Sequence, residues 1–131
     1  MRLLLDTHIW LWGFREPHKL SSDVHRVISD PANERFLSPV TIWEAIVLLE
    51  KKRIDIQKDF GEFFEQTCRE LDLREAPLDW KVALELRFTM LGYSDPADRF
   101  LVATAKAYDL TLVTADQRLL SVPNLKTLAN I

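Results

Sequence analysis

Four acidic residues occupy positions at which a carboxylate could take part in catalysis. Asp6 directly follows the apolar run Leu3–Leu5, and the other three acids are Glu44, Asp98 and Asp116. A carboxylate buried beside apolar side chains costs several kcal/mol unless something compensates its charge. The position of Asp6, directly after a segment with the pattern of a buried strand, therefore requires a compensating partner.

Carboxylates that share one crevice repel each other, and this repulsion limits what the four acids can do together. Two unit charges about 4 Å apart repel by about 4 kcal/mol at an effective dielectric constant near 20. Either some of the acids are protonated, or a divalent cation neutralises them. Oxygen ligands suit Mg²⁺ or Mn²⁺, whereas zinc-type spacing is absent from a chain with three histidines and one cysteine. Such a metal centre suits phosphoryl chemistry.

Alternating strand and helix patterns predict the elements that position these acids. We expect strands over 2–6, 35–38, 73–77, 110–113 and 125–128, and helices over 21–29, from 38–39 or 41 to about 52, 60–71, 79–91 and 96–108, with a helical turn over 116–120. This alternation implies right-handed crossovers and a sheet that is covered on both faces. The predicted fold is a three-layer α/β/α sandwich with a mostly parallel sheet of about five strands, and residues 1–131 form one domain.

The predicted topology brings the four acids to one edge of the sheet. Crossover helices run antiparallel to the strands, so helix N-termini lie where strands end, and ligands of open α/β sheets bind at this edge. Asp6 ends the first strand, and Glu44 lies in the first turns of the helix after the second strand. Asp98 lies in the first turn of the helix that opens at "SDPADRF", and Asp116 follows the fourth strand. We therefore expect their carboxylates to converge.

Helix capping is an alternative explanation for three of these acids. An acid in the first turn of a helix stabilises it by about 0.3–1 kcal/mol. Thr41–Glu44 and Thr114–Gln117 both match the capping-box pattern. Asp95 can cap the helix that begins at Pro96, with Asp98 in its first turn.

Capping also separates Asp79 from Asp6. Asp79 begins a helix after a predicted edge strand, and we interpret it as a cap without a catalytic role. Asp6 follows a strand that should be central, and we expect Thr7 rather than Asp6 to provide the local cap. A capping role therefore does not explain Asp6.

Composition excludes several other classes of protein. The chain has 131 residues, 47% hydrophobic and 28% charged, with a net charge of −3, so its overall charge does not indicate a nucleic-acid binder. Its single cysteine, Cys68, cannot form an internal disulfide, which favours a reducing cytoplasm. We expect no signal peptide, because Leu3–Leu5 is too short for one, and no membrane span. Three glycines provide neither a P-loop nor a dinucleotide-binding motif.

At these acidic positions the sequence resembles PIN-domain ribonucleases, and specifically the VapC-like toxins of bacterial and archaeal toxin–antitoxin pairs. The resemblance spans essentially the whole chain and rests on "LLLDTHIWLW", "SPVTIWEAIVLLEKKRIDI", "SDPADRFLVATAKAYDLTLVTAD" and the short final strand. It implies a PIN-like fold and a Mg²⁺- or Mn²⁺-dependent endoribonuclease that cleaves RNA with metal-activated water. It also implies that the metal ligands and catalytic residues are Asp6, Glu44, Asp98 and Asp116.

The resemblance extends to supporting residues and partners. Thr114 matches a hydroxyl residue near the last acid, which would orient a metal-bound water. Asp95 could join the shell of a second metal ion, although capping is the role that we prefer. The resemblance further implies an RNA substrate, an antitoxin protein that blocks the site, and self-association into a homodimer or higher oligomer.

Several other residues have both a functional and a structural interpretation. Arg99 and Arg118 lie close in sequence to proposed ligands and could hold the RNA backbone, but local ion pairs or solvated charges are the alternative. His8 could be a base or a ligand, although we favour a packed or hydrogen-bonded histidine. We expect Trp43 in the core. Phe60, Phe63 and Phe64 belong either to the core or to a partner-binding surface.

Two other functions stay open on the sequence alone. An aspartate after an apolar first strand could be the nucleophile of a phosphotransferase or phosphatase. Haloacid-dehalogenase-like enzymes of this kind require a second acid two residues later, where this chain has His8. A module that keeps the fold could also bind partners without catalysis. The first alternative predicts a phosphoenzyme on Asp6, and the second predicts neither metal binding nor RNA cleavage.

Overall fold

The central sheet contains five strands, all parallel, in a computed structural model that describes residues 1–131. The strands are β1 (Arg2–Leu5), β2 (Glu34–Leu37), β3 (Leu73–Glu75), β4 (Thr111–Thr114) and β5 (Thr127–Ala129), in the order β3-β2-β1-β4-β5. β1 is central, and its Leu4 lies in register with Phe36 of β2 and Leu112 of β4. The predicted α/β class with a parallel sheet of about five strands is confirmed.

Seven α-helices connect and flank the strands. They are α1 (Thr7–Arg15), α2 (Ser22–Ser29), α3 (Pro39–Glu50), α4 (Phe60–Leu71), α5 (Trp80–Glu85), α6 (Pro96–Tyr108) and α7 (Gln117–Leu120), with single 3₁₀ turns at Pro17–Lys19 and Leu86–Phe88. Sequence patterns predicted the bounds of α4 and α6 correctly but missed α1. The helix predicted over 79–91 is shorter in the structure: α5 ends at Glu85, and the chain continues as the 3₁₀ turn Leu86–Phe88. The Arg99 guanidinium donates to the carbonyls of Leu86 and Thr89 in this segment.

Two apolar clusters cover the two faces of the sheet, and alternate residues of β1 point into them. Leu3 and Leu5 belong to one cluster with Trp10 and Phe63, whereas Leu4 belongs to the other with Leu101. Because helices cover both faces, β1 is buried on both sides, and its three leucines are at most 1% exposed. The Asp6 carboxylate therefore directly follows three fully buried residues of the central strand.

Most of the aromatic residues near α4 contribute to the core, but Trp43 does not, contrary to the sequence prediction. Trp10 is 1% exposed, and its ring centroid lies 5.7 Å from that of Phe63 and 6.4 Å from those of Phe60 and Phe64. Phe63 is thus buried in the core, and Phe60 and Phe64 are partly buried and pack against it. Trp43 is 57% exposed, so its predicted core position is wrong, because α3 turns Val40, Thr41 and Ala45 inward instead.

The helices are all short relative to a lipid bilayer. The longest, α6, has 13 residues, and none combines the length and hydropathy that a membrane crossing requires.

Candidate active site

Asp6 lies at the carboxyl end of the central strand and caps the helix that follows it. Its Oδ1 accepts a hydrogen bond from the backbone N–H of Thr7 at 2.8 Å, and its Oδ2 accepts one from the Thr114 hydroxyl at 2.7 Å. Its backbone N–H donates to the carbonyl of Val113 at 3.0 Å. The prediction that Thr7 provides the cap is wrong, because β1 passes into α1 without a loop and Asp6 itself becomes the N-cap.

Thr7 connects Asp6 to the second acid. Its buried hydroxyl donates to Oε1 of Glu44 at 2.7 Å, which joins α1 to α3. The predicted capping box Thr41–Glu44 is wrong, since Ser38 caps α3 through a 3.1 Å bond from the backbone N–H of Val40. Glu44 therefore has no capping role and lies further along the helix, facing Asp6.

Asp98 lies in the first turn of α6, where it is 6% exposed. The predicted cap at Asp95 is present in the structure: its Oδ1 accepts a hydrogen bond from the backbone N–H of Asp98 at 3.0 Å. The hydroxyl of Tyr93 donates to Oδ2 of Asp98 at 2.9 Å. Asp95 thus stabilises the helix start, while Tyr93 orients the carboxylate of Asp98.

Asp116 caps α7 and pairs with Arg118. Its Oδ1 accepts from the backbone N–H of Arg118 at 2.9 Å, so the predicted capping box Thr114–Gln117 is wrong, and Asp116 is itself the N-cap. The Thr114 hydroxyl accepts from the backbone N–H of Asp116 at 3.1 Å. Nη2 of Arg118 lies 3.0 Å from Oδ2 of Asp116 and 3.9 Å from Oδ2 of Asp98.

All four predicted acids line one cavity of about 360 Å³, together with the other lining residues Thr7, His8, Trp12, Asp95, Ala115 and Arg118. The structure thus brings together side chains from β1, α3, α6 and the β4–α7 turn. Hydroxyls and one guanidinium join neighbouring carboxylates, and no three acidic, histidine or cysteine side chains already surround one point as direct ligands. The predicted convergence of the acids is observed as a shared cavity.

Burial and mutual repulsion change the acidity of these carboxyls. Burial raises the pKa of Glu44 to about 7 and that of Asp98 to about 6, and repulsion from neighbouring acids adds to both shifts. Burial also raises the pKa of Asp6, although hydrogen bonds from Thr114 and Thr7 oppose the shift. The hydrogen bond from Arg118 lowers the pKa of Asp116. The cavity therefore holds negative charge at a free-energy cost that a bound cation would remove.

The donor set fits a hard divalent cation. The acidic side chains that line the cavity offer carboxylate oxygens, which are the ligands that Mg²⁺ and Mn²⁺ prefer. Mg²⁺ usually keeps several waters and binds proteins through one or two carboxylates, so it does not need a closed cage of direct ligands. A cavity of this size accommodates an ion with its water shell.

The guanidinium of Arg99 is hydrogen-bonded to backbone carbonyl groups. Its Nε donates to the carbonyl of Thr89 at 2.9 Å, and its Nη2 donates to that of Leu86 at 2.8 Å. It does not line the acidic cavity. These contacts favour a structural role for Arg99 over the RNA contact considered from the sequence.

We expect Arg99→Gln to lower the free energy of unfolding by about 1–3 kcal/mol, because two carbonyl groups lose a charged donor. Urea denaturation measures this change. Arg87→Gln is the matched control, since Arg87 is exposed and makes one such bond, to Leu84. Unchanged stability with weaker RNA binding would instead support the RNA contact.

The profile of the PIN domain matches residues 3–125 of the sequence. The chain belongs to the PIN-domain family. This PIN domain is also 31% identical over 122 residues to Ribonuclease VapC22 of Mycobacterium tuberculosis, and the match covers 91% of the chain and 90% of that relative. The family resemblance inferred from the acidic motifs is therefore confirmed.

Solved structures share the fold of this PIN domain. A chain in the crystal structure of VapBC2 from Rickettsia felis, bound to a promoter DNA fragment, superposes with a TM-score of 0.69 and 18% identity over 98% of each chain. A toxin–antitoxin complex from Klebsiella pneumoniae contains a chain with a TM-score of 0.65 and 16% identity, again over 98% of each chain. At this level of identity the comparison establishes the fold.

Sequence reasoning missed three residues of the site. Thr7 and Tyr93 each bind one of the acids, and the Trp12 ring lines the cavity 5.6 Å from the ring of His8. His8 is exposed and lines the same cavity, and its ring is tilted by 49° relative to that of Trp12. The sequence carried one usable signal, which is the spacing of His8 and Trp12 by four residues on one helix face.

Proposed function

We propose that this PIN domain is a Mg²⁺- or Mn²⁺-dependent endoribonuclease that cleaves RNA phosphodiesters. One observation carries the proposal: Asp6, Glu44, Asp98 and Asp116 come from four separate parts of the chain and line one cavity at the carboxyl edge of the sheet. Similarity to a relative named as a ribonuclease supports it. The four acids would hold the metal ion and act as the catalytic residues.

The chain's own contacts support a proposed role for each residue. Asp6 is held through both oxygens, so its carboxylate would bind the ion in a fixed orientation. Thr7 positions Glu44, and Tyr93 positions Asp98. When bound, the ion would polarise the phosphodiester and lower the pKa of a water molecule.

Thr114 and Asp95 support the site in this proposal. The Thr114 hydroxyl donates to Asp6 and accepts from the backbone N–H of Asp116, so it aligns the two acids with each other. Asp95 holds the start of α6, and therefore Asp98, at the cavity. Arg118 lines the same cavity and would contact an RNA phosphate at its rim.

The proposal includes partners of this PIN domain. We assign it the toxin role of a toxin–antitoxin pair, with an antitoxin that blocks the cavity and with self-association of the domain. Solved VapBC and toxin–antitoxin complexes with the same fold support this assignment. So do the large apolar side chains that lie exposed on α5 and the segment after it, which are Trp80, Leu84, Phe88 and Met90.

Cleavage of labelled RNA by the purified chain, with Mg²⁺, Mn²⁺ or EDTA, tests the proposed activity. We expect cleavage with either ion and none with EDTA, since the carboxylates alone lack a Lewis acid. A crystal soaked with Mn²⁺ should show anomalous density among the four acids. Absence of both cleavage and Mn²⁺ binding would contradict the proposal and favour a binding module without catalysis.

A further inference from the structure

We infer that Arg118 is a built-in counter-ion of the acidic cavity. Its guanidinium pairs with the carboxylates of Asp116 and Asp98 and competes with the metal ion for their oxygens. The inference rests on the proposed metal site and names the group that sets its affinity. Arg118 would thus act as a positioning residue in addition to any contact with RNA.

The contacts of Arg118 are directed at the two acids. Its Nη2 and Nε lie 3.0 and 3.3 Å from the two carboxylate oxygens of Asp116, which is a two-point pairing. The same Nη2 lies 3.9 Å from Oδ2 of Asp98. A guanidinium in this position neutralises charge that would otherwise repel within the cavity.

Tyr93 supports this position from the other side. The guanidinium carbon of Arg118 lies 4.5 Å from the centroid of the Tyr93 ring, and the Tyr93 hydroxyl donates to Oδ2 of Asp98. Stacking of a guanidinium on an aromatic face is favourable. Tyr93 therefore contacts both the Arg118 guanidinium and Asp98, which is one of the acids that Arg118 neutralises.

A second ion pair in the chain shows what an ordinary surface pair looks like here. Arg26 lies 3.2 Å from Asp23 through one contact on α2, and the two side chains are 73% and 79% exposed. The side chain of Arg118 is also partly exposed, at 57%, but the side chains of Asp116 and Asp98 are only 29% and 9% exposed. Arg118 therefore pairs with acids that water solvates poorly, whereas Arg26 does not.

The competition follows from shared ligand atoms. Nη2 of Arg118 lies 3.0 Å from Oδ2 of Asp116 and 3.9 Å from Oδ2 of Asp98, and a divalent ion bound by these acids would take the same oxygens. Binding of the ion then requires that the guanidinium withdraw from Asp116. The wild-type protein should therefore bind the metal ion more weakly than a variant that keeps the four acids but lacks the Arg118 guanidinium.

Calorimetric titration of the full chain with Mn²⁺ tests this inference. We expect Arg118→Gln to bind Mn²⁺ about three- to tenfold more tightly than the wild type. The ion would no longer have to displace the guanidinium from the acids, and the positive charge that repels it would be gone. Arg26→Gln removes the same charge from a remote surface pair and should change the affinity by less than about twofold.

A second readout follows the guanidinium directly. In the NMR spectrum, the Nε–Hε signal of Arg118, which is assigned by its absence from Arg118→Gln, should shift on addition of Mg²⁺ with the same half-saturation as ion binding. Equal Mn²⁺ affinities for Arg118→Gln and Arg26→Gln, or a signal that ignores Mg²⁺, would overturn the inference. Failure of the wild type to bind either ion would instead overturn the proposed metal-dependent function.

Discussion

Asp6→Asn should reduce RNA cleavage by at least about a hundredfold while leaving the protein at least as stable as the wild type. The substitution removes a ligand charge at the centre of the proposed metal site. Its amide oxygen can still accept the hydrogen bond from the backbone N–H of Thr7, so α1 keeps its cap. Loss of one negative charge also relieves repulsion of Glu44 and Asp98. Cleavage assays and urea denaturation measure the two effects.

Asp79→Asn is the matched control for this prediction. Asp79 caps α5 through a 3.1 Å bond from the backbone N–H of Val82, and it does not line the acidic cavity. The substitution Asp79→Asn removes the same charge as Asp6→Asn but at the start of a different helix, away from the cavity. We therefore expect it to leave cleavage unchanged. Wild-type cleavage by Asp6→Asn, or a large loss with Asp79→Asn, would show that the site is drawn incorrectly.

In the absence of metal, the free energy of unfolding should fall by about 1–2 kcal/mol as the pH rises from about 4.5 to 8. The pKa of Glu44 is about 7 in the folded protein and 4.5 as its ordinary value. Between these values the folded protein keeps a proton that the unfolded chain has released, so stability is lost as the pH rises. The expected change of about 1–2 kcal/mol is smaller than the full pKa shift of Glu44 would give, because solvent partly screens this residue. Asp98, with a pKa of about 6, acts in the same direction.

Chemical denaturation at a series of pH values, with and without Mg²⁺, measures this effect. Mg²⁺ at a hundredfold excess over its dissociation constant should restore about 2.7 kcal/mol at pH 8. Glu44→Gln should reduce the pH dependence to the part that comes from Asp98, whereas Glu50→Gln, at the exposed end of α3, should preserve it. Stability that increases over this pH range would show that Glu44 is ionised without penalty.

Local sequence signals predicted the elements that carry strong helix starts. α6 begins at Pro96 after the capping residue Asp95, and both of its bounds were predicted because these signals act within a few residues. The convergence of the acids followed from topology, since a parallel sheet fixes where strands end and helices begin.

Contacts between distant residues were beyond the reach of sequence patterns. The bond from Thr114 to Asp6 spans 108 residues, and that from Thr7 to Glu44 spans 37. The exposure of Trp43 depends on which face α3 turns to the sheet, and its mostly apolar sequence does not select one. Tyr93 and Arg118 meet only because α6 and α7 begin side by side at the cavity.

The direct passage from β1 into α1 limits which side chains position 6 can tolerate. A single carboxylate there ends the strand, starts the helix and faces the cavity, so the residue must be short as well as anionic. Glutamate would preserve the charge, but its extra methylene would move the carboxylate away from both of its donors. Position 6 therefore restricts the length of the side chain as well as its charge.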